Sequence, residues 1–63
     1  MAGKSNEIYF EFIRVGTAVK VIAVDANSGT EVSIMGPANS PQTELQAVAL
    51  QKLKKRMRDL GIS

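Results

Sequence analysis

The run from Glu7 to Met35 alternates apolar and other side chains with a period of two, and two short turn signals interrupt it. Gly16-Thr17 separates the runs Glu7–Val15 and Ala18–Asp25. It predicts a two-residue hairpin in which Gly16 supplies a positive φ. That loop length sets a register: Val15 faces Ala18, Phe12 faces Val21 and Phe10 faces Ala23. A slip of one residue would bring Lys20 opposite Phe12 and send apolar groups to the wrong side. Ala26-Asn27-Ser28-Gly29 predicts a type I turn closed by Gly29 in the left-handed region. A third strand, Thr30–Met35, follows. Val32 then lies beside Ala23, and Ile34 beside Val21. The two turns are independent, yet they assign one common face: Ile8, Phe10, Phe12, Val19, Val21, Ala23, Val32 and Ile34.

After Gly36-Pro37-Ala38-Asn39 the period changes from two to that of a helix, over Pro41–Leu60. Ser40 is the expected N-cap, with Pro41 at the first helical position and Glu44 in the first turn, where a carboxylate suits the dipole. At 100° per residue, Leu45, Ala49, Leu50, Leu53, Met57 and Leu60 share one arc of about 140°. Gln51, Lys54, Lys55 and Arg58 lie opposite, and Gly61 is the stop signal. The last turn or two of the helix should overhang a sheet of this length. The expectation is an α+β fold, β-β-β-α: a three-stranded antiparallel meander with one C-terminal helix on its apolar face. It occupies residues 7–61 as a single domain, with 1–6 as a disordered tail and 62–63 as the chain end. Arg56 should reach Asp25 in an exposed salt bridge worth less than about 1 kcal/mol.

Composition limits the chemistry. The 63 residues contain no Cys and no His. Thiol chemistry, disulfides, imidazole catalysis and ordinary zinc sites have no residues to build them. A chain without cysteine is compatible with a reducing compartment. A net charge of +2 exerts little whole-surface pull on nucleic acid or anionic lipid. Met1–Asn6 holds no apolar core of signal-peptide length, and no run approaches the ~18 apolar residues of a membrane span. Gly3-Lys4-Ser5 ends like a phosphate-binding loop, but it lacks the upstream glycine and the preceding strand. Glu11 and Glu31 share a sheet face with strand two between them and with no base or electrophile beside them. No enzyme, cofactor or metal is expected.

The second sheet face is not cleanly polar. Tyr9, Ile13, Val15, Ile22, Val24 and Met35 lie there, broken by Glu11, Lys20, Glu31 and Ser33. One helix cannot cover both sides of a sheet. An apolar face left bare marks a contact surface, and strand one is a long edge with few inward charges. The leading expectation is therefore a protein-contact module, self-associating or docking another protein through these six residues or through the strand-one edge. Ile13→Lys or Ile22→Lys should then leave a folded monomer and break an assembly. The alternative is weak nucleic-acid binding by the basic helix face, with Lys54, Lys55 and Arg58 spread over about 100° as phosphate contacts.

The strand–strand–strand–helix order resembles two nucleic-acid-binding domains. One, typified by plant ethylene-response and some integrase N-terminal domains, places the open sheet face in the major groove. Here that face offers Lys20 against Glu11 and Glu31. The other is the double-stranded-RNA-binding domain, which carries lysines at the start of its last helix. Here that position reads Ser40-Pro41-Gln42-Thr43-Glu44, without a lysine.

A broader resemblance covers nearly the whole chain. Asn6–Gly16, Val19-Lys20-Val21, Asp25–Ser33, Gly36-Pro37-Ala38 and Leu45–Leu53 look like a family of short bacterial proteins of unknown function. The resemblance implies a complete, small, bacterial cytoplasmic protein. It carries over no functional residue.

Overall fold

A computed structural model describes residues 7–61. The expected tail 1–6, the Gly3-Lys4-Ser5 fragment within it and residues 62–63 lie outside the described residues. Three strands, β1 (Ile8–Val15), β2 (Ala18–Asp25) and β3 (Glu31–Pro37), precede one helix, α1 (Gln42–Asp59). The sheet is antiparallel in the order β1-β2-β3.

The register follows the turn chemistry. Val15 pairs with Ala18, Phe12 with Val21 and Phe10 with Ala23. On the other side of β2, Val21 pairs with Ile34 and Ala23 with Val32. Gly16 has φ 63°, and no non-glycine residue among those described has positive φ. Positive φ at the first loop position alone is the type II′ pattern, whose twist matches that of the strands. In the second turn Gly29 has φ 75°, and its amide donates to the Asp25 carbonyl at 2.8 Å. The Asp25 amide then donates to the Thr30 carbonyl at 2.9 Å, closing the loop where β3 begins.

Helix α1 packs over β2 and β3. The buried core is Val21, Ala23 and Val32 from the sheet against Leu45, Ala49 and Leu53 from the helix. Ile8, Phe10, Phe12, Val19, Ile34 and Met57 are only partly buried around it. Small residues explain the placement. Ala23, Ala49 and Gly36 leave room for close approach along β2 and β3, whereas Phe10 and Phe12 fill the space above β1. At Gly36 there is no room for a side chain: a Cβ built there would sit 2.5 Å from Leu45 Cδ2.

Several details differ from the sequence expectation. Strand β3 extends through Gly36 and Pro37, which pair with Val19 and Ala18. Pro37 is tolerated because β3 is an edge and its missing N–H would point away from β2. The helix N-cap is Pro41, not Ser40, with φ −61° and ψ 137° and no side-chain cap. The Pro41 carbonyl accepts the Glu44 and Leu45 amides at 3.1 and 3.2 Å, so the first turn begins one residue later. Ser40 instead donates its amide to the Pro37 carbonyl at 3.1 Å, consistent with the bias of a pre-proline residue away from helix. Gly61, with φ 75°, donates its amide to Arg58 and ends the helix as expected.

The Asp25–Arg56 salt bridge does not form. Asp25 is buried, and its Oδ2 accepts the Ser28 amide and the Ser28 hydroxyl, both at 2.8 Å. Arg56 lies on the other flank of the helix, in a cleft with Lys52, Lys55, Asp59 and Leu60. The basic helix residue that shares a cleft with Asp25 is Lys54. Among the described residues the ion pair is Lys55–Asp59, 3.3 Å apart, exposed and i,i+4 on the helix.

Candidate functional site

Pairing on the second face sets its side chains in rows across the strands. Tyr9, Val24 and Glu31 form one row, then Glu11, Ile22 and Ser33, then Ile13, Lys20 and Met35. Tyr9 and Met35 are 58% and 57% exposed, and Ile13 and Val15 are also exposed. Ile22 and Val24, on the middle strand, are half-buried by their neighbours. Each of these rows contains a charged or polar side chain, whereas Val15, Ala18 and Pro37 form a fourth row without one. The Tyr9 hydroxyl donates to Glu7 Oε1 at 2.8 Å. That hydrogen bond, the carboxylate's charge and slight desolvation raise the phenol above its ordinary value of 10.0.

The two sheet edges differ sharply. The Ala26 amide donates to the Glu7 carbonyl, so the backbone groups of odd-numbered residues face β2 along this side of the sheet. By alternation, the amides and carbonyls of Ile8, Phe10, Phe12 and Arg14 point outward from β1. Their side chains are those of the first face, and Ile8, Phe10 and Phe12 are half-covered because α1 sits over β2 and β3. Among the described residues nothing pairs with this edge. Arg14 turns its Nε to the Gly16 carbonyl of its own hairpin, 2.6 Å away.

At β3 the Ala38 amide donates to the Thr17 carbonyl, so even-numbered residues face inward and Glu31, Ser33, Met35 and Pro37 face out. Here the edge is blunted. Lys52 Nζ donates to the Ser33 carbonyl at 2.9 Å, the Pro37 carbonyl is taken by Ser40, and Pro37 has no N–H to offer. A lysine, a proline and a covering loop are the usual guards of a sheet edge. Among the described residues one edge carries all three and the other carries none.

The half-exposed strip Ile8, Phe10 and Phe12, with Ile8 in a cleft beside Leu50 and Met57, is not visible in the periodicity. Periodicity places these three on the face that the helix packs against. The signal lay in residue size: Ala23, Ala49 and Gly36 draw the helix toward one side of the sheet. A shallow cleft lined by Ile8, Asp25, Leu50, Lys54 and Met57 marks the uncovered flank.

The basic candidates are not brought to a common point. Lys54 borders the Asp25 cleft and Lys55 is paired with Asp59, while Arg58 is exposed on the last turn. Among the described residues no group of three or more His, Cys, Asp or Glu comes together, and no helix is long and apolar enough to cross a membrane.

A family model for a domain of unknown function, DUF6898, matches residues 5–60. The chain belongs to the DUF6898 family. The match spans all three strands, both turns and the whole of α1, so the fold described above is that of the DUF6898 domain in this chain. No curated protein and no solved structure matches the chain.

Proposed function

We propose that this DUF6898 protein is a small, non-enzymatic protein-interaction module that self-associates through the outer edge of β1. The observation that carries the reading is the contrast between edges: β3 is guarded at Ser33 and Pro37, whereas among the described residues no backbone partner meets Ile8, Phe10, Phe12 and Arg14 of β1. Strand addition to such an edge supplies main-chain hydrogen bonds and covers the half-exposed strip at the same time. The second face is the weaker site, because Glu11, Lys20 and Glu31 stand among Tyr9, Ile13, Val15, Ile22, Val24 and Met35. Lack of cysteine and the bacterial resemblance support a bacterial cytoplasmic setting for the module.

Sedimentation of the purified chain across micromolar to millimolar concentration tests the reading. A species of twice 6.8 kDa is expected. Ile22→Lys on the second face should keep that mass, and Phe10→Lys on the β1 strip should lose it while amide spectra still report a folded chain. A single 6.8 kDa species throughout would overturn self-association. Loss of assembly in Ile22→Lys alone would move the contact to the second face.

A further inference from the structure

Resting on the reading of β1 as the binding edge, we infer that the edge takes β1 of a second copy in antiparallel register, with the two-fold axis passing between Phe10 and the partner's Phe10. A two-fold axis perpendicular to the sheet keeps both helices on one side. The uncovered strips then meet on a single face of a continuous sheet, in the order β3-β2-β1 and its mirror sequence in the partner. Parallel pairing about an axis along the strands would turn the partner's strip to the opposite face and cover neither.

The charge pattern selects the register. Outward-facing residues of β1 meet outward-facing residues of the partner, so allowed registers step by two. One of them sets Glu11 opposite the partner's Glu11. Another sets Glu7 opposite the partner's Glu11. Like charges directly opposite each other disfavour both. A register centred on Phe12 places Arg14 beside the partner's Phe10 and carries Ile8 past the end of the partner strand. Centring on Phe10 avoids all three faults. Phe10 stacks beside the partner's Phe10, Ile8 meets the partner's Phe12, and Tyr9 meets the partner's Glu11 across the second face. The surface is self-complementary, which is why a second copy fits it better than an unrelated strand.

The chain has no cysteine, so introduced thiols report the register without interference. Tyr9→Cys and Glu11→Cys both lie on exposed second-face positions of β1. In the inferred dimer these two positions form a non-hydrogen-bonded pair, close enough for a disulfide. The two variants are mixed in equal amounts, oxidised with oxidised glutathione and resolved by mass spectrometry. The mixed Tyr9→Cys/Glu11→Cys disulfide should exceed either homodisulfide at least about tenfold, since cross-strand geometry admits only that pair. Dominant Tyr9→Cys homodisulfide, or a statistical mixture, would overturn the register while the unmodified chain's dimer mass still upheld self-association. A monomer mass for the unmodified chain would overturn both. A dimer mass with no disulfide of any kind would place the contact away from the β1 edge and overturn this inference.

Discussion

Leu45 occupies the space that a side chain on Gly36 would need: its Cδ2 lies 2.5 Å from the ideal Cβ position. Leu45 is itself buried against the sheet, so it has little freedom to withdraw. Gly36→Ala is expected to destabilise the fold by about 1–3 kcal/mol through overpacking. Shortening the opposing side chain in Gly36→Ala/Leu45→Val should recover part of that loss. Urea unfolding of the single and double variants measures it, and additive effects would contradict the contact.

Depth of burial should separate two further variants. Leu53 is fully enclosed, so Leu53→Ala is expected to cost about 2–5 kcal/mol. Phe12 is half-covered, and Phe12→Ala should cost less than the ~3–5 kcal/mol of a fully buried phenylalanine. Denaturation at a concentration where the chain is monomeric gives the comparison. If Phe12→Ala proves the more damaging of the two, the offset of the helix from β1 is wrong.

Asp25 holds the second turn through Ser28, not the helix through Arg56. Asp25→Ala should lose about 1–3 kcal/mol, because it leaves the Ser28 amide and hydroxyl without their charged acceptor. A double-mutant cycle between Asp25 and Ser28 should show coupling. The corresponding cycle between Asp25 and Arg56 should show none.

Tyr9 is the chain's one tyrosine, so its ionisation can be followed by ultraviolet absorbance without overlap. Its midpoint should lie above 10.0, and Glu7→Gln should bring it back down. The sign for stability follows from the direction of the shift. The folded state favours the protonated phenol, so this contribution is complete below the unfolded midpoint and is lost as pH rises through the folded one. A midpoint in Glu7→Gln equal to that of the unaltered chain would remove Glu7 as the cause.

The strand pairing was legible because two turns constrain each other. Gly16-Thr17 and Asn27-Ser28-Gly29 each set a register, and both place Val21 and Ala23 on the side that faces Leu53. What escaped was lateral position. Periodicity identifies which side of a helix is apolar, but it is silent on which strands lie beneath it. That depends on Gly36, Ala23 and Ala49 being small beside Phe10 and Phe12. The same displacement turned Arg56 toward the β3 flank and left Lys54 near Asp25. The start of the helix shifted because Pro41 can lend its carbonyl to the first turn while staying extended itself. The candidate site was legible in part: the sequence named the strand-one edge, but the guards on the opposite edge are three-dimensional. Lys52 comes within reach of Ser33 only once the helix has docked.

Chain order gives the offset helix a consequence during synthesis. The meander with Val21, Ala23 and Val32 leaves the ribosome before the helix residues that roof them. Until Leu53 arrives those three side chains lack their helical cover, and afterwards the strip along β1 stays half-exposed. The half-exposed strip along β1 is thus the portion of an early apolar face that the late-arriving helix never closes.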